Sequence, residues 1–332
     1  TVSLLGKIFK ATWPDSLVAG NIRDTVLFEA LKKIKPASRL VLELSSWQLE
    51  IMDKHKQKLP LAVVTNILPD HLNRYNSLAD YARAKAAIVR WQNKNNQAVL
   101  NYDNPRTRAL AKQTKAKVYW FSLRRPVKRG CYLSAGWVYW RDKKINRLFK
   151  VEEIKLKGQH NLANVLAAAV VANLMGVSNK ILLKVLKSYT GLHDRLELVR
   201  NFGGKKFYND TAATAPVATV AALQTFLGQP VVLIAGGQDK NLPYQELAKQ
   251  IVKSQAILIT LPGTATDKLV DNLPKNYPYL AASQMKQAVT LANRSLLGSG
   301  IVLLSPGAAS FGLFKHEFDR GEQFKVAVKE LI

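Results

Sequence analysis

Short apolar runs alternate with helical stretches along the first half of the chain. The runs are rich in β-branched and aromatic residues, which is typical of buried strands. One intervening segment begins with Ser77-x-x-Asp80, a variant of the capping-box pattern that predicts a helix start. The alternation predicts a largely parallel sheet covered by helices. The predicted strands lie at 39–44, 61–67, 97–101 and 117–121.

The same cycle begins again after Tyr189-Thr190-Gly191. Together the two cycles predict two α/β domains, residues 1–191 and 192–332. Before the boundary, CYLSAGWVYW and INRLFKVEEIKL favour antiparallel strands in an accessory sheet, followed by a helix near His160. The predicted strands of the second domain lie at 205–210, 231–235, 256–260 and 301–305.

Composition favours a cytoplasmic protein with buried cores and no membrane segment. The chain has 332 residues, 48% of them apolar, and its single cysteine, Cys131, has no intramolecular disulfide partner. Its longest apolar stretch, around Val165 to Val177, contains Asn173 and is therefore predicted to be a buried helix.

A formal net charge of +26 attracts nucleic acid, anionic lipid or polyanionic metabolites. We interpret the Lys and Arg residues as dispersed along the chain and not interleaved with aromatic residues as a stacking platform requires. We therefore expect no specific nucleic-acid partner, and we interpret the charge as a general basic bias that also steers nucleotide substrates.

Polar residues directly follow several predicted strands. Ligands of open α/β sheets bind at the carboxyl ends of strands, so these clusters are candidate sites. Taken singly, each has an ordinary structural explanation: Glu43 as a strand-end carboxylate, His71 as a loop histidine and Lys85 as a solvated helix lysine. The clusters are residues 43–48, 66–71, 209–211, 236–240 and 305–310.

The order and spacing of these clusters resemble the Mur ligase family over essentially the whole chain. The matching segments are LELSSWQLE, NILPDHLNRY, YARAKAAI, GQHNLANVLAAA, RLELV, NDTAAT, GGQDK and SPGAASFGLFKHEFDRG. The resemblance implies a central ATPase-type domain with a mostly parallel sheet and a Rossmann-like C-terminal α/β domain. It also implies a magnesium-dependent and ATP-dependent amide ligase of peptidoglycan synthesis that proceeds through an acyl phosphate.

The first and last of those segments resemble the branch of the family that adds D-glutamate to UDP-N-acetylmuramoyl-L-alanine. In the family a P-loop runs into the helix that TVSLLGKIF resembles. We therefore expect the P-loop and the UDP-binding domain to precede Thr1, and the chain alone to have little activity. The implied partners are small molecules, and the implied state is a monomer.

The resemblance assigns a role to individual residues. It implies two Mg²⁺ ions, held by Glu43, His71 and a carbamylated Lys85, with Arg195 as a further catalytic group. It places ATP against His160, Asn161, Asn164, Arg195 and Asp210. It places the UDP-muramoyl substrate against Asn21, Ser45 and Gln48, and the amino-acid acceptor against Thr214, Lys240, Ser310 and Phe311.

One departure concerns the acceptor. The family usually carries a lysine two residues after the aspartate of Asn209-Asp210, and Ala212 stands there instead. Either Lys240 carries more of the acceptor binding, or the acceptor is not D-glutamate. The alternatives are another Mur-type or folylpolyglutamate-type amide ligase and a non-catalytic basic protein on the same fold.

Overall fold

The computed structural model describes residues 1–22, 30–70, 74–156 and 158–332. The chain divides into two compact units, Thr1–Thr190 and Gly191–Ile332. No described helix is long and apolar enough to cross a bilayer.

Two sheets form the first unit. A two-stranded parallel sheet pairs β1 (Leu17–Gly20) with β2 (Leu40–Glu43). The second sheet has six strands in the order β3-β4-β5-β6-β7-β8, parallel from β3 to β6 and antiparallel from β6 to β8. Its strands are β3 (Leu61–Val64), β4 (Gln97–Asn101), β5 (Lys117–Ser122), β6 (Gly130–Ser134), β7 (Trp137–Arg141) and β8 (Ile145–Lys150).

Helices cover this second sheet on different faces. Helix α5 is apolar on nearly every side, and its run of small residues from Ala167 to Ala169 is fully buried in the main core. A second core lies where α3 packs against β3 and β4. The helices are α1 (Val2–Thr12), α2 (Ser46–Lys54), α3 (Leu78–Arg90), α4 (Pro105–Ala109), α5 (Gln159–Leu174) and α6 (Asn179–Ser188).

The second unit is built on one six-stranded sheet in the order β13-β12-β11-β14-β10-β9, parallel except for the β9–β10 pair. Apolar cores lie on both faces of this sheet. Its strands are β9 (Glu197–Phe202), β10 (Lys205–Asn209), β11 (Val231–Gly236), β12 (Ile257–Leu261), β13 (Tyr279–Ala281) and β14 (Gly300–Leu304). Its helices are α7 (Pro216–Thr225), α8 (Gln245–Lys253), α9 (Thr264–Asp271), α10 (Met285–Ser295) and α11 (Glu317–Lys329).

The predicted α/β architecture with mostly parallel sheets is confirmed. Two details differ from the sequence-based expectation. The antiparallel strands β6 to β8 extend the main sheet of the first unit instead of forming an accessory sheet, because β6 pairs in parallel with β5. Strands β1, β9 and β13 were not predicted: β1 and β13 have only four and three residues, and β9 is an edge strand that pairs antiparallel with β10.

Candidate functional site

In the first unit, Lys85 lies near two carboxylates that come from different elements. Lys85 is a half-buried residue of α3, Glu43 ends β2, and Asp70 follows β3. Burial lowers the pKa of Lys85, while the negative charges of Asp70 and Glu43 oppose that shift. The fold thus brings together Glu43 and Lys85, both predicted from the sequence, and adds Asp70, which the sequence reasoning did not single out.

Aromatic rings form one wall of this cluster. The ammonium of Lys85 lies 5.1 Å from the centre of the Tyr81 ring. Burial, together with the nearby charge of Asp70, raises the pKa of Tyr81 to about 12. The Tyr75 and Tyr81 ring centroids are 5.3 Å apart. The Tyr81 ring therefore covers one side of the Lys85 ammonium, and this less polar surrounding strengthens its interaction with the carboxylates.

The position of Glu43 depends on close backbone packing against β1. Gly20 pairs with Glu43 and has φ +105°, and a Cβ there would clash with the Glu43 carbonyl oxygen. The amide of Asn21 donates to the same oxygen at 2.7 Å. The candidate substrate residue Asn21 and the candidate metal ligand Glu43 are therefore neighbours at one sheet end.

Ser45 and Gln48 form a complete capping box at the start of α2. The Gln48 amide donates to Ser45 Oγ at 3.2 Å, and the Ser45 amide donates to Gln48 Oε1 at 2.8 Å. These contacts give both residues a structural role beside the substrate contact that the sequence predicts.

The remaining candidate metal ligand, His71, lies outside the described residues. Within the ranges that are described, no group of three or more His, Cys, Asp and Glu side chains has metal-binding geometry. The carboxylates of Glu43 and Asp70 are hard oxygen donors of the kind that Mg²⁺ prefers.

The candidate nucleotide residues lie on the first turns of α5. His160, Asn161 and Asn164 follow Gly158, which caps the helix with φ +91°. The Asn164 side-chain oxygen accepts a hydrogen bond from the Thr1 hydroxyl at 2.5 Å. The start of α1 and the start of α5 are therefore in contact.

In the second unit, Asp210 is a buried carboxyl group at the end of β10, 8% exposed. Its oxygens accept from the Ser305 hydroxyl at 2.8 Å and from the Leu196 amide at 3.1 Å. Burial raises its pKa to about 7 despite these hydrogen bonds and the nearby positive charge of Arg195. The fold therefore brings the charge of Arg195 near Asp210, and both residues were predicted from the sequence as nucleotide contacts.

Three strand-end loops meet beside Asp210, because β11, β14 and β10 are adjacent and parallel. Lys240 Nζ donates to Thr214 Oγ1 at 3.0 Å. The backbones of Gln238 and Ala309 form a two-way bridge, and Gly237 has no room for a Cβ beside Ala309. Thr214 and Lys240 are thus in direct contact. Ser310 directly follows Ala309, the residue that is bridged to Gln238.

Phe311, the fourth residue predicted for the acceptor, is 64% exposed, whereas Ser310 is buried. Of these two neighbours, only Phe311 presents a large part of its side chain to solvent. Ala212 is half-buried near the same loops, and its amide donates to the Asp194 carbonyl at 3.1 Å.

Sequence reasoning missed Arg320, which is 0% exposed and ties α11 to two of these loops. Its guanidinium donates to Thr211 Oγ1 at 3.0 Å, to the Thr211 carbonyl at 2.9 Å and to the Ala308 carbonyl at 3.1 Å. Burial lowers its pKa to about 10. A signal was present in the sequence, because a glycine inside a helical pattern, here Gly321 directly after Arg320, indicates close packing. Gly321 does pack tightly against Thr211, Asp194 and Asn209.

Comparison with known proteins places this geometry in a family. Residues 18–172 match the family model described as the Mur ligase middle domain. A UDP-N-acetylmuramoylalanine–D-glutamate ligase from Roseiflexus sp. (strain RS-1) is 39% identical, over 99% of this chain and 73% of its own length.

Solved structures agree on the fold. MurF from Acinetobacter baumannii superposes with a TM-score of 0.71 at 17% identity, over 99% of this chain and 74% of that one. MurF ligase from Thermotoga maritima in complex with ADP gives 0.67 at 14% identity, over 99% and 78%. The chain therefore belongs to the Mur ligase family, in its UDP-N-acetylmuramoylalanine–D-glutamate ligase group.

Proposed function

We propose that this chain forms part of an ATP-dependent ligase that adds D-glutamate to UDP-N-acetylmuramoyl-L-alanine. The observation that supports it most is the grouping of Glu43, Asp70 and Lys85. Joining a carboxylate to an amine through an acyl phosphate gathers negative charge at one place. Cations held there by carboxylates would stabilise that charge and lower the activation barrier. The sequence similarity to D-glutamate ligases supplies the substrate pair.

We infer that Glu43, Lys85 and His71 hold two Mg²⁺ ions, with Asp70 as an additional oxygen donor. Bound Mg²⁺ would stabilise the charge on the phosphoryl group during transfer. The positive Lys85 ammonium fits a metal site poorly, but a carbamate at Nζ would replace that cation with an anionic oxygen ligand. In that reaction the neutral amine bonds to the carbon of CO₂ and one proton is released.

Burial supports carbamylation of Lys85, because a lowered pKa leaves more of the amine neutral at a given pH. With ¹³C-labelled bicarbonate, we expect a carbamate carbon resonance that strengthens as the pH rises. The Lys85→Met variant should lose the resonance. The Lys112→Met variant, which removes an exposed lysine, should keep it. A resonance of equal intensity in the Lys85→Met variant contradicts the assignment.

For the nucleotide, we propose that His160, Asn161 and Asn164 contact the adenine end of ATP from the start of α5. Arg195 and Asp210 are proposed as further nucleotide contacts from the second unit. Asn21, Ser45 and Gln48 are proposed to contact the UDP-muramoyl substrate. The capping box leaves the Ser45 hydroxyl proton and the Gln48 amide NH₂ as groups for that contact.

We propose that Lys240, Thr214, Ser310 and Phe311 bind the acceptor. A lysine point charge beside a hydroxyl group suits a carboxylate. Because Ala212 takes the place of the usual family lysine, Lys240 carries the larger share of this binding.

Steady-state kinetics test the acceptor site. The kinetics are measured on a fusion of this chain with the part of the Roseiflexus ligase that lies outside its alignment with this chain. The Lys240→Met variant should raise the KM for D-glutamate by about tenfold or more, the loss expected for one charge-assisted hydrogen bond. The KM for ATP should stay within about twofold. Lys253→Met removes an equal charge from an exposed site in the same unit.

If Lys240→Met and Lys253→Met have the same KM for D-glutamate, Lys240 does not bind the acceptor.

The Ala212→Lys variant tests the departure from the family, in which a lysine usually stands at this position. A lower KM for D-glutamate supports a D-glutamate site at this position, whereas an unchanged KM for D-glutamate with a lower KM for another amino acid favours a different acceptor.

A further inference from the structure

Nearly half of the net positive charge lies in one short part of the first unit. Residues 102–150 contain 14 Lys and Arg residues against two Asp residues, a net charge of +12 out of +26. The same segment contains nine aromatic residues. It is the exception to the even spread of basic residues elsewhere, and it forms the short helix α4, a 3-10 helix at Leu110–Lys112 and the strands β5 to β8.

Pairing places aromatic and basic side chains on one face of this part of the sheet. Tyr132 pairs with Tyr139, and Tyr139 with Arg147, while Trp137 pairs with Lys150 across a bulge. Paired residues of adjacent strands point to the same side of a sheet. These five residues, Tyr132, Trp137, Tyr139, Arg147 and Lys150, form what we call the aromatic–basic face.

Side-chain contacts hold the face together. The Tyr132 and Tyr139 rings stack at 5.3 Å. The Arg147 guanidinium lies 5.3 Å from the Trp137 ring centre, and the Lys150 ammonium lies 5.4 Å from it. Tyr102 continues the pattern nearby, with the guanidinium groups of Arg108 and Arg125 at 5.3 and 6.0 Å from its ring.

The opposite side of the same strands is the packed side. Cys131, Val138, Leu148 and Phe149 belong to the main core with α5. None of the five residues of the aromatic–basic face belongs to a core cluster of the described chain. Arg147 and Lys150 are exposed, and Trp137 and Tyr139 are partly exposed. Tyr132 is 6% exposed, so four of the five residues are open to solvent, and the Lys150 ammonium also lies 3.2 Å from the Glu152 carboxylate.

We propose that the aromatic–basic face binds single-stranded nucleic acid without sequence preference. A positively charged surface neutralises phosphates, while aromatic rings and guanidinium planes stack on exposed bases. An anionic membrane is the other polyanion with matching charge. Binding to a membrane also needs apolar side chains that enter the lipid. Ile145, 53% exposed, is the only large hydrophobic residue between 102 and 156 with high exposure, which favours nucleic acid.

Fluorescence anisotropy of the full chain with a labelled single-stranded RNA of mixed sequence tests this proposal. The variant with Arg147→Glu and Lys150→Glu should bind about tenfold more weakly at 50 mM salt, and its affinity should fall less steeply with salt because fewer phosphates are neutralised. Trp137→Leu with Tyr139→Leu should weaken binding about fivefold or more and leave the salt dependence unchanged, since stacking carries no charge.

The matched control changes two exposed lysines of α6 in the same unit, Lys180→Glu and Lys184→Glu, with the same change in net charge. It should weaken binding by no more than about threefold, the effect of overall charge alone. Circular dichroism melting verifies that each variant is folded.

Equal losses in the face variant and the control variant overturn the proposal. So does binding to phosphatidylglycerol vesicles without binding to RNA, because that result assigns the face to a membrane surface.

Discussion

Asp210 shows how one buried side chain couples the fold to pH. Its pKa is raised to about 7 from the ordinary 3.8 because burial disfavours the charged form. Between those values the folded protein holds a proton that the unfolded chain has released. The stabilisation by Asp210 is therefore complete below about pH 4 and is lost as the pH rises through about 7.

The Asp210→Asn variant should abolish this pH dependence, because asparagine stays neutral throughout. We expect the free energy of unfolding of the native chain, relative to the variant, to fall by on the order of 4 kcal/mol between pH 4 and pH 8. Urea unfolding at a series of pH values measures it. Asp267→Asn, at an exposed position, should leave the pH profile unchanged. Parallel profiles for the native chain and Asp210→Asn would show that Asp210 titrates normally.

At the scale of elements, Arg320 connects α11 to the loops after β10 and β14. Its three hydrogen bonds satisfy the carbonyl groups of Thr211 and Ala308 as well as the Thr211 hydroxyl. In an Arg320→Met variant those two buried carbonyl oxygens lose this partner. We expect a loss of stability on the order of 3 kcal/mol, measured by thermal or urea unfolding.

Arg294→Met is the control, because Arg294 is an exposed residue near the end of α10. Its effect should stay within about 0.5 kcal/mol. If both variants unfold at the same denaturant concentration, Arg320 does not tie the helix to the loops.

The elements that the sequence predicts well are those with strong local signals. Helix α3 starts after Ser77, whose hydroxyl accepts from the Asp80 amide at 3.1 Å, as the capping pattern indicates. By contrast, the alternation in β6 to β8 predicts antiparallel strands but contains no information on which strand they join. That pairing depends on the approach of Gly130 to Trp120, where any Cβ would clash with the backbone.

At the scale of the molecule, the motifs predict most of the candidate residues, because many of them directly follow a strand and others lie on helix α3 or at the start of helix α5. The sheet order then decides which of them meet: Thr214 and Lys240 touch since β10 and β11 both flank β14. Asp70 and Arg320 were not predicted as partners. Arg320 acts through hydrogen bonds to Thr211 and Ala308, and Asp70 through its charge near Lys85. Neither the spacing of motifs nor the hydrophobic pattern records such interactions.

The most direct test of the proposed function is phosphate release from ATP with UDP-N-acetylmuramoyl-L-alanine, in the presence and absence of D-glutamate. It is made on the chain alone and on the chain joined to the part of the Roseiflexus relative that it does not cover. We predict release that requires D-glutamate in the joined form and little in the chain alone. Release that is independent of D-glutamate, or that another amino acid supports better, would contradict the proposed D-glutamate ligase activity.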